Sequence, residues 1–548
     1  MKSKRFKVLS PQRSVSPREN QRYVLTQDNW NDHGFNTMYH LYITSPKESI
    51  SVGSVKILRK GQKVGDGILI DDDFDTLGPK FVSVGQSLDY YQRLAELSTE
   101  ERDVILSSLR DVVQTPELEE TFSSEDGWST SLFRDQREPV IQDFLRLARG
   151  MIHGNYSSLL ADRNPHFSFR MPEWDTPVEF ASPSLPDSIV PSSRVAIPER
   201  VVVLIGRNGS GKSTLLARLA RVAHGTATNR AGPVLTALGV ITPEGMGFPR
   251  IITVSYSAFD SFTLPGLPPQ EESEPDEREQ IIKDARRGTG RYVYCGLRDI
   301  ASELEQQIKD TPQGAVASDR VERTLLKSVD VLAEEFERTL TLITRNERAR
   351  VFRSVFNILA SEPSFSFWTD EQELEELVTA KPRKLFGSWS TGQKIVAQIA
   401  ASLVAYTEPR SLVLIDEPEM HLHPSLLAVL MHAVRYVLRK YEAFAVIATH
   451  SPVVAQESLG RHVLIVERDE ETTRVRAPDI ETFGENVSTL TSELFGLNSE
   501  VTDFHKVLDA LIKRYRSLER IEKLFQPHGL SVQARGYLLS QLPDEDER

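Results

Sequence analysis

Three short groups of residues in this chain have the types and spacing of a phosphate-handling site. The first is Gly206-Arg207-Asn208-Gly209-Ser210-Gly211-Lys212-Ser213-Thr214, directly after the apolar run Val201-Val202-Val203-Leu204-Ile205. It fits G-x-x-x-x-G-K-[ST], a loop whose glycines let successive backbone N–H groups wrap around phosphate. The helix opening near Lys212 adds its positive dipole end. Lys212 is a point charge for the β- and γ-phosphates, and the Ser213 hydroxyl suits a Mg²⁺ shell. These residues predict binding of a nucleoside triphosphate. The second group is Ser411-Leu412-Val413-Leu414-Ile415-Asp416-Glu417-Pro418, a strand ending in two carboxylates. Asp416 is placed to hold Mg²⁺ through water opposite Ser213, and Glu417 to polarise an attacking water. The third is Ala448-Thr449-His450-Ser451-Pro452, where His450 at a strand end can donate a hydrogen bond to the γ-phosphate; the bland alternative is a core histidine.

Between the first two groups lies Phe386-Gly387-Ser388-Trp389-Ser390-Thr391-Gly392-Gln393-Lys394, which precedes the apolar helix Ile395–Leu403. Its Ser-x-Gly-Gln core offers an anion a hydroxyl, backbone N–H groups and a helix dipole end. Alone it reads equally well as an ordinary helix cap. Its position shortly before the Asp416-Glu417 strand gives it meaning.

Taken in order, these four elements resemble the ABC-type ATPases: Walker A, an LSGGQ-like signature, Walker B with its glutamate, and the switch histidine. The resemblance covers about half the chain. It implies ATP and Mg²⁺ as cofactors, and Lys212, Glu417 and His450 as catalytic groups. It also implies a head-to-tail dimer in which Ser390, Gly392 and Gln393 of one subunit complete the nucleotide site of the other. The run Asp416-Glu417-Pro418-Glu419-Met420-His421-Leu422-His423-Pro424 is similar to that of the soluble OLD, RecF and SMC-like members. His421 and His423 are read as loop geometry facing the dimer partner rather than as metal ligands, and Glu419 and His423 as reporters of nucleotide state across the dimer. One departure is evident. The family carries a glutamine after the strand that follows the P-loop helix, whereas here Ile251–Ser255 leads into Tyr256-Ser257-Ala258-Phe259-Asp260-Ser261-Phe262. Either Gln270 reaches back, or Asp260 or Ser257 takes the Mg²⁺ or water contact.

OLD enzymes add a Toprim nuclease, which needs a glutamate after one strand and Asp-x-Asp after a later one. Glu467 could imitate the first, but Asp544 and Asp546 lie in an acidic tail with no strand before them, so no nuclease is expected in cis. Glu481-Thr482-Phe483-Gly484-Glu485-Asn486, Leu494-Phe495-Gly496-Leu497, the lead-in Gln27-Asp28-Asn29-Trp30-Asn31-Asp32 and Val254–Phe262 resemble the bacterial anti-phage ATPases of the Septu PtuA type, including retron-associated ones. That resemblance implies an HNH nuclease partner and, for the retron type, a reverse transcriptase with its RNA–DNA product. The alternative is a DNA-repair or chromosome-maintenance ATPase acting directly on DNA.

Composition bounds these readings. The chain has 548 residues, 39% of them hydrophobic, and no apolar stretch approaches the roughly 20 residues that span a bilayer. Its single cysteine, Cys295, excludes an internal disulfide framework and fits a cytoplasmic location. The net charge of −13 argues against a general nucleic-acid binder, though not against a local basic groove. The expected fold class is α/β, a P-loop NTPase with an ABC-type core, an N-terminal β-rich and helical insert, and a helical lobe. The expected divisions are an N-terminal arm at 1–35 and a first part of the core at 36–265, with a helical insert at about 75–160. A helical lobe at 266–385, the second part of the core at 386–490 and a C-terminal helical partner-binding region at 491–548 follow. Tyr90–Val113 is read as one helical segment. Asp319 and Glu322 are read as a capping box opening a helix whose apolar face runs Val321, Leu325, Val329, Leu332, Phe336, Leu340 and Ile343. Glu271–Glu277 is read as a solvated loop, and Trp174 to Pro198 as an extended lead into the core.

Overall fold

The computed structural model describes residues 5–10, 21–29, 31–45, 49–67, 70–134, 136–154, 166–181, 199–266, 275–310, 318–321, 323–343, 347–368, 382–469, 472–496 and 503–541. Its centre is a seven-stranded sheet. In spatial order the strands are Tyr292–Gly296, Ile251–Ser255, Leu412–Asp416, Phe444–Thr449, Val201–Ile205, Val463–Arg468 and Thr473–Arg476. Every neighbouring pair is parallel except the last, which is antiparallel. The central strands are short and apolar throughout because the sheet is covered on both faces.

Strand periodicity divides each of them between two cores. Val201, Val203 and Ile205, with Ile252, Val254, Val413, Ile415, Ala445 and Ile447, pack beneath helices Val329–Ile343, Glu347–Leu359, Thr391–Tyr406 and Pro424–Lys440. Val202, Leu204, Leu412, Leu414, Val446 and Ala448 face helix Lys212–His224 through Leu215, Leu216 and Leu219. A small antiparallel sheet, Val240–Thr242, His166–Arg170 and Val178–Ala181, covers the outside of that helix with Phe167, Phe169 and Phe180.

A second sheet forms a separate core near the N-terminus. Its six strands run, in spatial order, Asp73–Phe74, Phe6–Leu9, Tyr23–Gln27, Met38–Thr44, Ser49–Arg59 and Phe81–Gly85. The segment at 1–35, expected to be an arm, therefore supplies two of them. Helices Leu88–Ala95 and Glu138–His153 pack on this sheet. Ion pairs join it to the domain of the seven-stranded sheet: Arg93 to Asp284 at 3.1 Å, Arg250 to Glu96 at 3.2 Å and Arg291 to Asp89 at 3.4 Å. Burial alone would raise the Asp89 carboxyl; the charges of His224 and Arg291 outweigh it and hold the group below the usual carboxylate range.

Inside this module Asp111 is fully buried, accepting from Val113 N at 2.8 Å and from the Tyr91 hydroxyl at 3.1 Å. Burial pushes it up to about 7 in spite of those bonds. Its unfolded value is about 3.9, so between the two the folded chain holds the extra proton and stability falls as pH rises. Asp111→Asn should flatten the pH dependence of the urea midpoint between pH 5 and 7.5, removing a slope worth on the order of 3 kcal/mol. An unchanged slope would place the titration elsewhere.

Several boundaries differ from those read in the sequence. The segment Tyr90–Val113 is two helices, Leu88–Ala95 and Thr99–Leu109, each opened by a serine cap, Ser87 and Ser98. Asp319 opens no helix: it pairs with Arg218 at 2.7 Å, and the helix starts at Val329, where Ser328 Oγ accepts from Val331 N. Residues around Val321 and Leu325 instead run as bridging backbone beside the loop after Ile251–Ser255, with Phe262 bridged to Arg320 and Arg298 to Leu326. Long-range pairing there outweighs the local helical spacing. Pro275 begins a helix, Pro275–Arg287, in the stretch expected to be a loop. Of Trp174 to Pro198, residues 182–198 lie outside the described residues, and Val178–Ala181 is a strand.

Candidate nucleotide site

The strand Val201–Ile205 delivers the glycine-rich loop to the C-terminal edge of the sheet, and helix Lys212–His224 leaves from it. Two positions need glycine. A Cβ on Gly206 would lie 2.3 Å from the Val466 carbonyl oxygen, and Gly211 holds φ at 97°. Lys212 is buried, and its ammonium donates to the carbonyls of Gly206 and Arg207 at 2.9 and 3.0 Å. Burial lowers the Lys212 pKa, while Glu417, Asp416 and Glu419 pull it back up. Arg207, Asn208 and Gly209 are exposed at the mouth of the loop, Ser210 is buried, and Gly211, Ser213 and Thr214 are half-buried. The Arg207 side chain turns away from the loop. Its Nε and Nη2 donate to the Phe495 carbonyl at 2.9 and 2.6 Å, at the negative end of helix Val487–Phe495.

Asp416 ends the central strand Leu412–Asp416, and its carboxylate accepts from Ser213 Oγ at 2.9 Å. Burial pushes Asp416 up to about 7, opposed by the Ser213 hydrogen bond and reinforced by Glu417 and Asp260. A hydroxyl and a carboxylate meeting at the phosphate loop are the hard oxygen donors that Mg²⁺ takes. Glu417, one residue further, has a left-handed backbone with φ 48°, unusual for a side-chain-bearing residue, and its N–H is tied to the Ala448 carbonyl at 2.8 Å. That bend turns the chain sharply at the strand end.

The register Asp416↔Ala448 brings the Walker B turn beside the end of strand Phe444–Thr449. There Glu419 links the two loops within one chain. It accepts from Thr449 Oγ1 and from His450 N, both at 2.7 Å, and lies 3.1 Å from His450 Nδ1. His450 is also 3.7 Å from Glu417. The turn that aims Glu419 inward starts at the left-handed Glu417, two residues before it. Glu419→Ala should release His450 and lower ATP turnover by about tenfold or more with little loss of ATP affinity, whereas Glu419→Gln should keep part of the rate. Equal turnover in wild type and alanine variant, measured with MgATP, would remove Glu419 from the site.

Ser390 caps helix Thr391–Tyr406, with Gln393 completing a reciprocal capping box: Ser390 N to Gln393 Oε1 at 2.8 Å, and Gln393 N to Ser390 Oγ at 3.3 Å. Gln393 Nε2 also donates to the Ser364 carbonyl at 2.6 Å. The Gly392 backbone passes close to the His421 carbonyl. Among the described residues, Ser390 and Gln393 make no hydrogen bond to the glycine-rich loop, and Ser390 is exposed. His423 caps helix Pro424–Lys440, its Nδ1 3.1 Å from Ser425 Oγ, and His421 is exposed.

Of the alternatives for the missing glutamine, Gln270 lies outside the described residues. Ser257 Oγ accepts from Phe259 N within its own turn, at 3.2 Å. Asp260 is buried and lines a small cavity with Ser213 and Asp416. Glu467 pairs with Arg476 at 2.9 Å, and Asp544 and Asp546 lie outside the described residues.

Strand order, glycine-rich loop and the Ser213–Asp416 pair together decide the class of this domain. The chain carries a P-loop NTPase core. Residues 324–455 match a family model described as "AAA domain, putative AbiEii toxin, Type IV TA system", a stretch holding Ser390, Asp416, Glu417 and His450. Protein ea59 of Escherichia phage lambda is similar along the whole length, 29% identical over 562 residues, covering 99% of each chain. Among solved structures, that of the SmcHead bound to the C-winged helix domain of ScpA aligns with 57% of this chain and 97% of its own. Its identity is 13% and its TM-score 0.26. At that score the P-loop assignment stands on the topology and the site, not on the alignment. No helix among the described residues is long and apolar enough to cross a membrane.

Proposed function

We propose that this protein is an ATPase that closes as a head-to-tail dimer on ATP and reopens on hydrolysis. Lys212 and the loop from Arg207 to Thr214 hold the phosphates, Ser213 and Asp416 hold Mg²⁺, Glu417 acts as the base toward water, and His450 orients the γ-phosphate. Magnesium, when bound, neutralises charge on the phosphate oxygens. The observation that carries the dimer is the exposed Ser390 end of helix Thr391–Tyr406, a helix N-terminus capped by its own side chains and set apart from the loop it resembles a partner for. A second copy turned head to tail would bring Ser390, Gly392 and Gln393 over the phosphates of the first. Light scattering of the purified chain with and without MgATP tests this; a monomer under both conditions rejects it.

The work done by that cycle is read as gating a partner HNH nuclease in bacterial anti-phage defence, in the retron type together with a reverse transcriptase and its RNA–DNA. The support is the resemblance of the segments at 481–486 and 494–497. Co-purification with a nuclease whose DNA cleavage follows the ATP state would establish it. Direct action on DNA is the second reading. What favours it is that a relative similar along the whole length is encoded by a phage, which weighs against an anti-phage role. ATP-dependent DNA binding by the lone chain would decide for it.

A further inference from the structure

We infer that Ser255 and Asp260 form the far wall of the metal end of this site and position a water that completes the Mg²⁺ shell, a place for which the loop has no glutamine. The inference rests on the nucleotide reading above. Ser255 pairs in register with Asp416 at the ends of adjacent parallel strands, so both side chains leave the same face of the sheet. Ser255 is 2% exposed, and its Oγ finds no hydrogen-bond partner among the described residues. Ser255 lines a cavity of about 30 Å³ whose wall is largely apolar, with Leu216, Ala220, Phe262 and Leu264, and whose polar members include Ser213, Asp260, Tyr294, Arg298 and Asp416. That is room for about one water, with the Asp260 and Asp416 carboxylates on its polar side.

Asp260 faces the same cavity from the loop beyond Ser255. It is 8% exposed and held at three points: by the Tyr294 hydroxyl at 2.9 Å, by Arg298 Nη1 at 3.3 Å and by Phe262 N at 3.1 Å. Two of those bonds fall on one oxygen and one on the other, which leaves the carboxylate able to accept from a water. Arg298, itself 1% exposed, continues to Glu303 at 2.6 Å, and Glu303 accepts from Leu325 N at 2.9 Å. The bridging segment that replaced the expected helix start thus fixes Asp260. A carboxylate locked by a buried arginine is oriented like an outer-sphere metal partner, not like a mobile loop side chain.

The test uses the full chain with ATP and Mn²⁺ as a paramagnetic stand-in for Mg²⁺. Mn²⁺ binding to the ATP-loaded chain is read by electron paramagnetic resonance, and metal-free ATP binding by fluorescence of a labelled ATP in EDTA. Asp260→Asn should weaken Mn²⁺ binding by about tenfold and Ser255→Ala by about threefold, with metal-free ATP affinity unchanged in both. Ser255→Ala removes one atom from a packed site, so it reads the inference even if Asp260→Asn disturbs the fold. Wild-type Mn²⁺ affinity in both variants overturns the inference alone. A wild-type chain that binds no ATP overturns the nucleotide reading, and this inference with it.

Discussion

Glu417→Gln is expected to slow ATP turnover by about 10²–10⁴-fold, the range lost when a positioned general base is removed. ATP binding should persist, because Lys212, Ser213 and Asp416 are untouched. The amide is nearly the same size as the carboxylate, and the backbone N–H that holds the turn to Ala448 is unchanged. The variant should therefore accumulate as an ATP-bound dimer at nucleotide concentrations where wild type cycles back to monomer. Light scattering and retained nucleotide after gel filtration check both halves. Turnover near the wild-type rate would show that another group activates the water, with Glu419 and His450, 3.1 Å apart, the next to replace.

Mixing two inactive variants gives the other large effect. Lys212→Ala removes the phosphate charge from one half of each site. Ser390→Arg places a bulky cation where the partner's loop must approach, on an exposed residue whose replacement leaves the core intact. Each variant alone should show almost no turnover. In a head-to-tail dimer, half of the randomly formed pairs are mixed, and each of those retains one intact site, so the mixture should recover about a quarter of wild-type activity. A site complete within one chain predicts no recovery at any ratio. Because restored activity can arise only across chains, this result separates a composite site from two parallel defects.

How much of this was legible beforehand depended on whether local chemistry or long-range pairing decided each element. The strands Ile251–Ser255 and Leu412–Asp416 fall where their apolar runs place them, since a run bounded by turn residues declares itself locally. The helix read from Val321 does not begin there, because the stretch before Val329 is held by bridges to residues far away in sequence. Arg207 is a phosphate-loop residue by motif. The structure gives its guanidinium to a carbonyl nearly three hundred positions later in the chain, a partner no spacing rule could supply. Glu419 was visible as an acidic residue near Walker B, but its pairing with Thr449 and His450 follows from sheet register.

The residue types and spacing at Gly206–Thr214, Ser390–Gln393, Asp416-Glu417 and His450 pointed by themselves to a P-loop NTPase core. Phosphate and metal chemistry demands those groups in nearly contiguous runs, and short runs survive in a linear reading. Tertiary structure decided which of them meet. It joined Ser213 to Asp416, set Glu419 against His450, and left Ser390 exposed at its helix end. It also brought Ser255, Asp260 and Arg298, residues without a motif between them, to one small cavity. The physical reason is that a parallel sheet gathers strand ends from distant parts of the chain at one edge, so the contacts that finish a site there are set by strand order and register.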